Sequence, residues 1–181
     1  MSRLTIPSIE TSPAASLPLL EAVKKQLGVV PNLMKLVGNS PVALEGYLSL
    51  NGALAKGSIG TKTGERIALA IAEINRCDYC LSAHTYLATH VAKLDSAEIA
   101  ANRQGTSGDA KADAAVRFAA RVAKQRGLVS DETVDEVKKA GFNDAQIVEI
   151  VLHVALNTLT NYVNSVAQTD IDFPVVTAFA Q

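Results

Sequence analysis

At 181 residues the chain is long enough for one domain with a sizeable core. Its 48% hydrophobic and 19% charged residues, with a mean hydropathy of +0.17, make it more apolar than a typical soluble monomer, so part of its surface is expected to lie against another subunit. A net charge of −1, 4% aromatic residues and no tryptophan remove the electrostatic and stacking arguments for nucleic acid or an anionic membrane surface.

The N-terminal stretch MSRLTIPSIETSPAAS lacks the continuous apolar core of a secretory signal, which leaves a reducing cytoplasm as the expected compartment. Within a single domain spanning 1–181, residues 1–60 read as a helical lead-in or arm and 61–175 as the core. In the lead-in, VVPNLMKLVGNSP is a short helix bounded by Pro31 and Pro41. Ser40 and Pro41 then supply an N-cap and first-turn proline for VALEGYLSLNGALAK. Glycines at 57 and 60 separate this from an apolar helix through Ile67, which runs into INRCDYC. Asn75 and Asp78 suit helix ends, so a new helix is expected to start near Cys77 and continue through CLSAHTYLATHVAKL. Asp95 with Glu98, and Asn143 with Gln146, have the spacing of capping boxes. Ser130 precedes Asp131 and Glu132, acids that a helix N-terminus favours. Val116, Ala119, Ala120 and Ala123 keep helical spacing, as do Val134 and Val137. The most apolar run, 147–167, carries Glu149, His153, Asn157, Asn161 and Asn164, too polar a stripe for a lipid-facing helix. No segment alternates with period two, and the DFPVVTAF tail reads as irregular or briefly paired. The expectation is an all-α domain of about seven helices. A shift of 83 residues aligns Ile67, Leu69, Ala72 and Tyr79 with Ile150, Leu152, Ala155 and Tyr162, a weak internal repeat.

The chemistry concentrates in NRCDYCLSAH, which holds both of the chain's cysteines and one of its three histidines. In a reducing compartment such a pair points to redox or metal chemistry ahead of a structural staple. A helix beginning near Cys77 would lower a thiol pKa there through its free N–H groups. Cys77 and Cys80, three residues apart in a first turn, can form a disulfide. Cys80 and His84 stand one turn apart on one face, so the imidazole can take the thiol's proton. Glu65 and Glu73 are the candidate carboxylates to orient that imidazole, and proximity alone favours Glu73. A metal set of Cys77, Cys80, His84 and one of these glutamates is the rival, weakened because no further cysteine exists and His90 and His153 stand isolated.

The spacing Glu65–x11–Cys77–x2–Cys80–x3–His84 resembles the AhpD-like alkylhydroperoxidases of the carboxymuconolactone decarboxylase superfamily. The likeness extends to VVPNLMKLVGNSPVALEGYLSL, ERIALAIAEINRCDYCLSAH and ALNTLTNYVNSVAQTDIDFP, which look like its peroxidase-related branch. The resemblance implies an all-helical bundle with a duplicated helical unit and a homo-oligomer (dimer, trimer or hexamer). It implies Cys80 as the peroxide-attacking sulfur, Cys77 as the resolving one, and His84 with Glu65, in place of Glu73, as the proton relay. A hydroperoxide would be the substrate, an external dithiol or redox protein the electron donor, and no cofactor or metal would be needed. Some peroxidatic members have a histidine between the cysteines; here Asp78 and Tyr79 stand there, and Tyr79 can only hydrogen-bond near neutral pH. The alternatives are a redox adaptor, which needs the same dithiol, and a cofactor-free decarboxylase, which does not need it.

Elsewhere, the stripe from Glu149 to Asn164 reads first as a polar seam between packed helices and second as a pocket lining. Tyr86 is expected in the core, facing away from the cysteines, and His90 partly exposed. Tyr47 and Leu48 are candidates to cover the site from the lead-in.

Overall fold

A computed structural model describes residues 2–180, and within them every regular element is helical. A 3-10 turn at Ala14–Ser16 leads into α1 (Leu17–Leu27), α2 (Asn32–Val37) and α3 (Pro41–Leu54). There follow α4 (Gly60–Ile74), α5 (Asp78–His90), α6 (Ser96–Arg103), α7 (Ala110–Gln125), α8 (Asp131–Lys139) and α9 (Asp144–Ala167). These nine helices exceed the expected seven because the lead-in holds three, one of them only six residues long. No described helix is long and apolar enough to cross a membrane.

The bundle is organised around α4. Residues Ile67 to Ala72 are at most 2% exposed, so this stretch of the helix is apolar all round and buried on every side. Ile67 and Ile71 pack with Phe118 and Val122 of α7 and Ile150 and Val154 of α9. Leu69 belongs to a second cluster with Ala88 and Ile99, and Ala72 to a third with Cys77, Cys80, Leu20 and Leu44. The lead-in helices pack in that third cluster, directly over the cysteines.

The helix ends follow the sequence signals, with one instructive exception. Asn143 and Gln146 form a complete capping box. Asp95 accepts the Glu98 N–H at 2.8 Å, but the Glu98 carboxylate does not reach back to Asp95. It is drawn instead to Arg66 Nε (2.7 Å), Asn102 Nδ2 (3.0 Å), Ser107 Oγ (2.5 Å) and the Gly108 N–H (2.9 Å), tying α6 to α4 and to the following loop. The two segments related by the 83-residue shift are both helical, but the break at 75–77 corresponds to 158–160, in the middle of unbroken α9.

Burial alone would raise the Glu98 pKa, yet the donors from Ser107, Asn102, Gly108 and Arg66 outweigh it and hold the group at about 2. A folded-state pKa below the ordinary carboxyl value contributes stability above the unfolded pKa, and that contribution is lost as pH falls from about 4.5 toward 2. Glu98→Gln is expected to lower stability at neutral pH by about 1–3 kcal/mol. Urea midpoints should show the difference from wild type shrinking steadily as the pH is brought down to about 3.

Candidate active site

The turn between α4 and α5 places the two sulfurs. Asn75 ends α4, Arg76 takes a left-handed φ of 54°, and the Arg76 and Cys77 N–H groups bond back to Glu73 and Ala72 carbonyls. This is a Schellman closure with arginine where glycine is usual. It delivers Cys77 in extended conformation as the N-cap of α5, where its sulfur accepts the Cys80 N–H at 3.3 Å. With Cα atoms 5.2 Å apart, Cys77 and Cys80 are joined in a disulfide, as their spacing allows. Both residues are 3% exposed. Asn164 of α9 donates its amide to the Cys80 sulfur at 3.3 Å.

His84 lies one turn beyond Cys80, and its Nδ1 is 2.9 Å from Glu65 Oε2. The structure therefore brings together Cys80, Cys77, His84 and Glu65, and leaves Glu73 out. The preference for Glu73 from proximity is overturned. Eight residues of helix turn a side chain by about 80° from its starting direction. Glu65 consequently faces α5, whereas Glu73 pairs with Arg103 of α6 at 2.7 Å and accepts the Phe179 N–H at 2.6 Å. Tyr79 is buried, donating to Asp172 Oδ1 at 2.8 Å and accepting the Leu33 N–H at 3.0 Å.

A cavity of about 620 Å³ opens onto this group. Cys80, His84, Glu65 and Tyr79 line it, while Cys77 sits off its wall in the core. Tyr47 of α3 and His153 of α9 face in from other sides. The His153 ring stands so near Gly64 that a Cβ there would come within 3.0 Å of its Cε1. Leu48 packs against the neighbouring core and is not on the cavity wall.

The α9 stripe divides between the two readings given above. His153 and Asn157 line the cavity and Asn164 reaches the sulfur, while Asn161 accepts from Asn75 Nδ2 at 2.9 Å. Glu149 instead receives the Ser58 and Ile59 N–H groups. Tyr86 is not a core residue: it is 42% exposed at the cavity, its ring 4.4 Å from that of exposed His90. The Asn164 contact and the tail residues Asp172 and Phe173 on the cavity wall were not evident from spacing. The tail has no periodicity to read, and only the polar stripe hinted at Asn164.

Residues 41–125, from the start of α3 to the end of α7, match the sequence model of the carboxymuconolactone decarboxylase family. An uncharacterized peroxidase-related protein from Silicibacter sp. TM1040 superposes with a TM-score of 0.81 at 23% identity, covering 93% of this chain and 91% of its own. The alkylhydroperoxidase AhpD core of an uncharacterized peroxidase-related protein from Ralstonia eutropha JMP134 gives 0.83 at 20%, covering 94% and 92%. The chain thus has the AhpD-like fold, and its segment 41–125 is similar to the carboxymuconolactone decarboxylase family. The fold also serves other chemistry, since the debrominase Bmp8 in complex with 2,3,4-tribromopyrrole superposes at 0.72 with 20% identity over 93% of this chain and 94% of that one. No curated protein matches the sequence.

Within the cavity two tyrosines and one histidine are held neutral by their surroundings. Burial, then the negative charge of Glu65, pushes Tyr47 up to about 12. Burial, reinforced by Asp172 as hydrogen-bond acceptor and as charge, raises Tyr79 further, against a lowering contribution from the Leu33 N–H. Burial lowers His153, outweighing the nearby Glu149 and Glu65 charges. An ultraviolet titration of the folded protein to about pH 11 should ionise no more than two of the four tyrosines, and all four in urea.

Proposed function

We propose that this protein is a thiol-dependent hydroperoxide reductase. The observation that carries the reading is a bonded cysteine pair with one sulfur at a cavity wall, beside a histidine fixed by a carboxylate.

In the reduced enzyme the Glu65 carboxylate accepts the His84 Nδ1 hydrogen, leaving Nε2 to take the proton of Cys80, one turn back on α5. The Asn164 amide is placed to donate to the resulting thiolate. The thiolate attacks the terminal peroxide oxygen. A sulfur–oxygen bond forms, the O–O bond breaks, the leaving alkoxide takes the proton from His84, and Cys80 becomes a sulfenic acid. The Cys77 thiol then condenses with it, forming the disulfide and releasing water. An external dithiol returns both thiols by exchange and is itself oxidised. The N-cap position favours negative charge on Cys77, but access favours Cys80 as the attacking sulfur, because it alone of the pair lines the cavity.

Cys80→Ser is expected to abolish hydroperoxide turnover. Cys77→Ser should allow a single turnover that leaves a sulfenic acid trappable at Cys80, and Glu65→Gln should slow the reaction by about 100-fold. Undiminished turnover in Cys80→Ser would sink the reading. Bromide release from a bromopyrrole without hydroperoxide loss would move it toward the chemistry of the debrominase neighbour.

We further propose a homo-oligomer formed through α9, whose outer face exposes Val148, Leu159, Tyr162 and Val166 along the length of the helix. Sedimentation should show Tyr162→Glu as a smaller species than wild type; a monomeric wild type would refute this.

A further inference from the structure

The cavity beside Cys80 is unusual in which charges it lacks. The chain has 17 lysines and arginines, and none lines the cavity. Aliphatic side chains such as Leu33, Leu54 and Leu156, with Phe173, form most of its wall. Its carboxylates are Glu65, paired with His84, and Asp172, held by the Tyr79 hydroxyl at 2.8 Å and the Asn32 N–H at 2.7 Å. Among its other polar groups are the Tyr47 hydroxyl and the His153 imidazole, neither with a side-chain hydrogen-bond partner among the described residues.

A ligand carboxylate entering here would lose its water, meet no ammonium or guanidinium, and approach two fixed carboxylates. Burial of an unpaired charge is costly, and like charges add to that cost. An uncharged molecule pays neither penalty. It can lay its apolar body on the aliphatic wall and turn a polar atom to Tyr47 or His153, in a cavity of the size that suits small organic ligands.

We propose that this cavity admits uncharged organic molecules and rejects anionic ones, so that the hydroperoxide it takes is neutral, an alkyl, aryl or ester hydroperoxide and not that of a free carboxylic acid. The identity of the ligand as a hydroperoxide rests on the reductase reading above; the selection by charge does not.

Two reagents of nearly equal size separate these claims. In the reduced protein, iodoacetamide and iodoacetate alkylate the same thiolate by displacing iodide, one neutral and one anionic. With modification at Cys80 read from fragment masses, the iodoacetamide-to-iodoacetate rate ratio should exceed that of the urea-unfolded chain at least about tenfold, a difference of roughly 1.4 kcal/mol. Leu27→Lys, at a half-exposed position on the cavity rim, should reduce the ratio by about threefold or more. In turnover, the methyl ester of an unsaturated fatty-acid hydroperoxide should exceed the free acid in kcat/KM by about tenfold or more. A folded-state alkylation ratio equal to the unfolded one overturns the selection by charge. Equal turnover of ester and acid overturns the substrate assignment. Selective alkylation with neither hydroperoxide consumed leaves charge selection standing and defeats the reductase reading instead.

Discussion

Burial of the Ile67–Ala72 stretch of α4 on all sides is the constraint from which the rest of the molecule follows. That stretch is flanked by Glu65, Arg66 and Glu73, so the helix cannot slide or turn without driving a charged residue into the core, and its register is fixed by Ile67 through Ala72. Once that register is set, Glu65 at one end and Glu73 near the other are aimed at different neighbours. One is left to the cavity and His84, the other to Arg103 and the C-terminal tail. The same fixed end presents Ala72 and Glu73 carbonyls to the turn that sets Cys77. Positioning of carboxylate and sulfurs is thus one packing decision made in two places.

The site is correspondingly polar in its reacting centre and apolar around it. Low surrounding polarity strengthens the Glu65–His84 contact and keeps Tyr47 and Tyr79 protonated. It also raises the stakes for each buried amide. Asn164 spends its N–H on a sulfur, while its Oδ1 and the Asn161 Nδ2 find no partner among the described residues. Such unpaired atoms are ordinarily avoided.

Most of the helical frame was legible because its signals are local. Proline and serine at 40–41, the box at Asn143 and the helix start near Cys77 all act within one turn of chain. The Cys80–His84 placement was legible for the same reason. What spacing misread were the long-range choices. Glu73 is nearer to the cysteines in sequence, but only the packing of α6 shows that Arg103 claims it. Tyr86 has the composition of a core residue, yet it stands at the open side of the cavity. Asp172 and Phe173 carry no periodic signature and enter the wall only because the tail folds back over α5.

That return of the tail has a consequence for the order of assembly. Val176 and Ala178 donate backbone N–H groups to Ser82 and Asp78, and Phe179 to Glu73, across sequence separations of 94, 100 and 106 residues. A ribosome lays down both cysteines long before the segment that roofs them, at about 5–20 residues per second. For several seconds of each synthesis the thiols therefore stand without that part of their cover. The interior position they occupy in the finished fold is complete only once the tail has been made.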